Sequence, residues 1–166
     1  MSDPAAMDVE VVTNVVFAGL GGQGVLKASD ILADVAFASG LDVKKSELHG
    51  MSQRGGSVTS DVRFGHEVFS PMVPVGEAHY LVVLAESEVD TSRHYLRPDG
   101  VLIAPERVDA QRLTNPRSHN VALLGALSLA LPFTTDTWYA ALEANLPERL
   151  HAVNREAFDI GRSDVR

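Results

Sequence analysis

The sequence predicts an α/β fold: a mostly parallel sheet with helices on both faces and a helical C-terminal third. Three observations carry this. Val15-Val16-Phe17-Ala18 is a short apolar run that reads as a buried strand and passes through Gly19, Gly21, Gly22 and Gly24 into residues with helical spacing. Two further apolar runs, 79–85 and 101–104, have strand length and lie ahead of the helical region. From Ser118 onward the chain is rich in alanine and leucine and is punctuated as helices.

The elements follow in order. Apolar residues at Val25, Ala28, Leu32 and Val35 recur every three or four positions, so a helix is expected over Gln23–Ser39. Gly40 is its expected stop. Leu41–Leu48 reads as the second strand, which makes strand, helix and strand a βαβ unit. Ser57–Phe64 alternates as a strand. Pro71 and Pro74 then mark an irregular connection. His79–Ala85 is a buried strand, and Ser87 or Ser92 is placed to cap a short helix ending near Leu96. Pro98-Asp-Gly100 reads as a turn before a short strand at Val101–Ala104. Residues 106–117 carry no clear pattern. Ser118–Leu131 is apolar nearly all round, as in a helix buried on more than one side, and Pro132 ends it. Asp136–Asn145 and Pro147–Ile160 read as two more helices, with Gly161 as the final stop.

Composition narrows the function. The chain of 166 residues has the length of one domain, assigned to 13–166 behind a flexible tail at 1–12. The tail lacks the basic and apolar regions of a signal peptide, and no apolar run reaches membrane-spanning length, so a cytoplasmic location is expected. A formal net charge of -8 disfavours nucleic acid as a partner. With no cysteine, the chain has no thiol nucleophile and no cysteine ligand for an iron–sulfur cluster. Its six histidines are scattered without metal-ligand spacing, no serine elbow occurs, and the glycine loop lacks the Gly-Lys-Ser/Thr ending of an ATPase loop. No catalytic residue and no metal site is assigned. Glu86 and Glu88 follow a strand end, where α/β sites lie, but two such carboxylates also suit a solvated helix start.

Two stretches remain. Gly19, Gly21 and Gly24 match G-x-G-x-x-G between a strand and a helix. Such glycines let a phosphate approach bare backbone at a helix N-terminus, or they serve only to pack the helix tightly on its strand. In a dinucleotide site an acidic residue follows to hold a ribose; Asp42 or Glu47 is positioned for this, with Lys44 and Lys45 between them blurring the assignment. The second stretch, His49-Gly-Met-Ser-Gln-Arg-Gly-Gly56, lies between two strands. Arg54 beside two glycines suits a phosphate or carboxylate, or is a surface arginine on a solvated hairpin loop.

Taken together, Gly19-Leu-Gly-Gly-Gln-Gly-Val25, Ser46-Glu-Leu-His-Gly-Met-Ser-Gln-Arg-Gly-Gly-Ser-Val58 and Asn120 through Gly125-Ala-Leu closely resemble the gamma domain of 2-oxoacid:acceptor oxidoreductases. The nearest likeness is to the small subunits of the indolepyruvate type. The resemblance covers nearly the whole chain and implies a Rossmann-like domain within a larger enzyme. Such enzymes convert a 2-oxo acid and coenzyme A to acyl-CoA and carbon dioxide and reduce ferredoxin. The resemblance places thiamine diphosphate and the iron–sulfur clusters on a larger partner subunit, with coenzyme A as co-substrate. With no cysteine and no complete catalytic set, the chain is expected to be inactive alone, and Gly19, Gly21, Gly22, Gln23, Gly24, Glu47, Met51, Gln53, Arg54, Gly55, Gly56 and Asn120 are its cofactor-binding candidates. Two other readings stay open: a free-standing module binding NAD or a flavin, and a subunit whose loops only pack on a partner.

Overall fold

The computed structural model describes residues 11–49 and 56–164. Among these residues five strands form one sheet: β1 (Thr13–Leu20), β2 (Asp42–His49), β3 (Ser57–Gly65), β4 (Ala78–Val83) and β5 (Leu96–Ile103), in the order β2-β3-β1-β4-β5. β1 pairs parallel with β4, and β4 with β5, whereas β3 is antiparallel to both β1 and β2. Hence β1, β2, β4 and β5 run one way and β3 alone runs against them. The expected βαβ unit exists but is split, because β3 is inserted between β1 and β2.

The middle of β1, Val15–Ala18, is apolar because both its faces are covered. Val15 and Phe17 meet the larger core; Val16 and Ala18 meet a smaller one. The larger core is roofed by α1 (Val25–Ala38), α3 (His119–Ser128), α4 (Thr135–Asn145) and α5 (His151–Ser163). On the opposite face lie α2 (Val89–Ser92), which contributes Val89, and the segment 66–77, which contributes Val73. α1 ends as its sequence requires. Gly40 has φ +84°, its N–H donates to the Phe37 carbonyl at 3.0 Å, and Leu41 N–H reaches the Ala36 carbonyl at 3.2 Å. This glycine-ended pair of bonds satisfies carbonyls that the helix itself leaves open.

Three local expectations are corrected. Pro98-Asp-Gly100 is not a turn ahead of β5 but an irregularity within it: Ala78 pairs with Leu96, and Tyr80 already with Val101. A Cβ on Gly100 would lie 2.8 Å from the Ala78 carbonyl oxygen, so glycine is what permits this close approach. Neither Ser87 nor Ser92 caps α2; the Ser92 hydroxyl instead donates back to the Glu88 carbonyl. Gly161 is not a helix stop but lies inside α5, where it touches α3. A Cβ there would sit 1.8 Å from the Ala122 carbonyl oxygen, and one on Gly125 would sit 2.1 Å from that of Phe158. The two helices therefore meet backbone to backbone, with glycine Cα–H groups against carbonyl oxygens. α3 is buried from Asn120 to Ser128, in keeping with its uniformly apolar sequence. Among the described residues no helix is long and apolar enough to cross a membrane.

Candidate functional site

The chain leaves neighbouring parallel strands β1 and β4 in opposite directions. From β1 it runs through α1 toward β2; from β4 it runs through α2, on the other face, to β5. A crevice opens at the carboxyl ends of such strands, which is where α/β folds bind ligands. The glycine loop lies in this crevice. Gly22 and Gly24 have φ +90° and +82°, a region costly to any residue with a Cβ. Gln23 clamps the loop: its Oε1 accepts from Leu20 N–H at 2.8 Å, and its Nε2 donates to the Leu84 carbonyl at 3.3 Å. The side-chain amide thus bridges the ends of β1 and β4.

The glycines answer different local needs at different positions. Gly19 serves packing, since a Cβ there would be 2.8 Å from Val25 Cγ2. Gly24 is the residue before α1 and contributes no side-chain cap, and the first turn of α1 holds no acidic residue. The first-turn amides have no acceptor within the helix, so this N-terminus presents partial positive charge to the crevice. Asn120, from α3, completes the loop by donating from Nδ2 to the Gly24 carbonyl at 3.2 Å; the same carbonyl accepts Ala28 N–H at 3.0 Å. Asn120 acts here as a positioning residue.

The second stretch emerges on the same edge, because β2 ends at His49 and β3 begins at Ser57. Gly21 N–H donates to the Gly56 carbonyl at 2.9 Å and ties the two stretches together. Met51, Gln53, Arg54 and Gly55 lie outside the described residues. Glu47 does not face the glycine loop. Its carboxylate pairs with Lys45 Nζ at 3.2 Å, and Lys45 also bonds Asp30 on α1. Burial pulls the Lys45 ammonium down, but the bonds to Asp30 and Glu47 outweigh it and hold the pKa above its ordinary value. With β3 interposed, Glu47 stands two strand spacings, roughly 9–10 Å, from β1. Asp42 is at the far end of β2, accepting Val68 N–H at 2.8 Å. The ribose-holding role expected of Asp42 or Glu47 is therefore not supported, and a dinucleotide module is disfavoured.

Lys27, Arg117 and His119, also at this edge, carried no usable signal in the sequence. A cleft of about 450 Å³ beside the loop is lined by Gly22, Gln23, Gly24, Leu84, Pro116, Arg117 and His119. Arg117 is exposed and adds positive charge opposite the α1 N-terminus. His119 is fixed by Nε2, which donates to the Pro105 carbonyl at 3.0 Å. A groove on the other side of the loop, about 420 Å³, includes Lys27 and Val58. Glu88 is not a solvated helix-start carboxylate: it is 9% exposed and accepts from Ser57 Oγ at 3.0 Å. Among the described residues, no group of three or more His, Cys, Asp or Glu side chains is arranged to hold a metal ion.

Residues 14–163 match the family described as pyruvate ferredoxin/flavodoxin oxidoreductase. The chain belongs to that family. It is 32% identical to the indolepyruvate oxidoreductase subunit IorB of Pyrococcus horikoshii, over 89% of this chain and 93% of that one. Two solved structures share its fold. Pyruvate oxidoreductase subunit PORC of Thermotoga maritima superposes with a TM-score of 0.77 at 20% identity, over 93% of this chain and 97% of that one. The 2-oxoglutarate:ferredoxin oxidoreductase of Magnetococcus marinus, solved with 2-oxoglutarate, coenzyme A and succinyl-CoA bound, superposes with a TM-score of 0.75 at 20% identity; 92% of this chain corresponds to 31% of that one. The same fold thus occurs in a chain of about this length and as one part of a longer polypeptide.

Proposed function

We propose that the chain is the small, cluster-free subunit of a ferredoxin-dependent 2-oxoacid oxidoreductase acting on indolepyruvate or another aryl pyruvate. The overall reaction joins the acyl group of the 2-oxo acid to the coenzyme A sulfur, releases carbon dioxide and passes two electrons to ferredoxin. One observation supports this reading above the others: the Gly21–Gly56 hydrogen bond, which joins the two stretches of the family resemblance at the carboxyl edge of the sheet. The donor set does not fit the redox groups. With no cysteine the chain offers no thiolate for an iron–sulfur cluster, and its described carboxylates form no metal-holding group that would anchor a thiamine diphosphate through its cation. Those groups are assigned to the larger partner subunit.

The edge does suit an anion. Open first-turn amides of α1, Lys27 on one side of the loop and Arg117 on the other surround bare glycine backbone. We assign this edge to the phosphate groups of coenzyme A, with Arg54 as a further phosphate or carboxylate ligand by its chemistry. Asn120 and Gln23 hold the loop in shape for it. The cytoplasm is the expected compartment.

Kinetics of the reconstituted complex test this reading. This chain alone, supplied with thiamine diphosphate, coenzyme A and a dye acceptor, is expected to oxidise no 2-oxo acid; with the larger subunit, ferredoxin reduction requires both substrates. Turnover by this chain alone would overturn the assignment. Arg54→Ala is expected to raise the KM for coenzyme A or lower turnover by about 1.5–3 kcal/mol, the range for a hydrogen bond to a charged group, with partial recovery in Arg54→Lys. Unchanged constants in an assembled complex would remove Arg54 from the site.

A further inference from the structure

The segment 66–77, which joins β3 to β4, is fastened to the sheet from beneath by polar groups. Val68 N–H donates to Asp42 Oδ2 at 2.8 Å and Val73 N–H to Asp61 Oδ2 at 2.9 Å. Arg63 Nη1 donates to the Ser70 carbonyl at 2.8 Å, and Asn14 Nδ2 to the Glu77 carbonyl at 3.1 Å. Arg63 is itself steadied by Nε, which donates to Asn14 Oδ1 at 2.9 Å. Burial beneath the segment holds the Asp61 carboxyl above its ordinary range. Pro71 and Pro74 restrict the backbone, and Glu77 N–H closes a turn on the Pro74 carbonyl at 3.1 Å with Gly76 at φ +80°.

Two apolar side chains of this strap point inward: Val68 and Val73 are 2% and 4% exposed. Three point out. Phe69 is 84% exposed, Val75 68% and Met72 63%. Single exposed apolar residues are ordinary, but three on one stiffened segment are not. Phenylalanine and methionine are residues that interfaces favour, and a strap already fixed in shape loses little conformational freedom on docking.

Charge selects the occupant. Glu67 and Glu77 are exposed at the two ends of the strap, and residues 66–77 contain no lysine or arginine. Of the cations beneath the strap, Arg63 is committed to Ser70 and Asn14, and Lys44 faces Asp42 at 3.9 Å. A second copy of this chain, of net charge -8, would bring the same carboxylates face to face. We infer that the strap is the docking surface for the larger subunit of the proposed enzyme, through a pocket apolar at its centre and rimmed by lysine or arginine. The identity of this partner rests on the function proposed above; the surface and its chemistry rest on the strap.

The test uses the full chain and the purified larger subunit, with affinity measured at low and high salt and the chain's own mass measured by sedimentation. Wild type is expected to be monomeric alone and to bind. Phe69→Ser/Met72→Ser should keep the wild-type melting temperature and bind about a hundredfold more weakly, as expected for losing two buried anchors. Glu67→Lys/Glu77→Lys should also bind more weakly, with a deficit that shrinks at high salt. Wild-type affinity in both variants would show that the strap is not the interface. Self-association of the wild-type chain that Phe69→Ser/Met72→Ser abolishes would assign the strap to a second copy. Failure of wild type to bind the larger subunit would overturn the proposed function and, with it, this choice of occupant.

Discussion

The glycine loop and the α3–α5 crossing both depend on glycine, for different physical reasons. At the loop, Gly22 and Gly24 supply a backbone conformation; at the crossing, Gly125 and Gly161 supply space. A Cβ on Gly22 would meet nothing within 4 Å, yet φ is +90°. The glycines of the crossing have no left-handed backbone, yet the nearest atom to a Cβ would be a carbonyl oxygen of the opposite helix. At the first, a Cβ would add backbone strain that the loop can absorb. The second cannot be relieved without moving a helix. Gly24 combines both, since its φ is +82° and a Cβ would lie 2.4 Å from Asn120 Nδ2. Its obstacle, however, is a side-chain amide that can rotate.

The largest expected effect is therefore at the crossing. Gly161→Ala and Gly125→Ala should each destabilise the chain by about 3–5 kcal/mol, above ordinary overpacking because backbone has to shift. Urea unfolding measures this, and a loss under about 1 kcal/mol would mean that the helices separate easily. Gly24→Ala comes next, at about 2–3 kcal/mol from left-handed strain plus the displaced Asn120 bond. A double-mutant cycle sharpens the distinction. Asn120→Ala alone should cost about 1 kcal/mol, and Gly24→Ala/Asn120→Ala should be less damaging than the sum of its parts by about 1 kcal/mol. Strict additivity would show that strain, not the amide, opposes the Cβ. Gly22→Ala should have the smallest effect on stability, about 1–2 kcal/mol from strain alone. Its larger consequence should be weaker coenzyme A binding in the assembled enzyme, read by calorimetry. Unchanged binding would place the ligand away from Gly22.

Much of the fold was legible from short-range pattern. The run Val15–Ala18, the three-and-four spacing from Val25, the glycine stop at Gly40 and the uniformly apolar stretch around Leu123 each dictate a local structure through burial periodicity or backbone conformation. The sequence likewise specified a glycine loop between a strand and a helix, and the absence of cysteine excluded thiolate-held clusters from this chain. Tertiary structure decided what periodicity cannot encode. Strand order is set by which edges pair, so the insertion of β3 between β1 and β2, and with it the separation of Glu47 from the loop, had no local signature. Gly161 has the appearance of a helix stop until α3 is packed against it. Glu88 has the appearance of a solvated carboxylate until the fold buries it and brings Ser57 to bond it. Arg117 and His119 reach the crevice only because the N-terminal end of α3 docks through Asn120 on Gly24, far away in sequence. Local sequence selects the conformation of each segment, whereas the contacts that build the site join residues whose separation along the chain leaves no pattern to read.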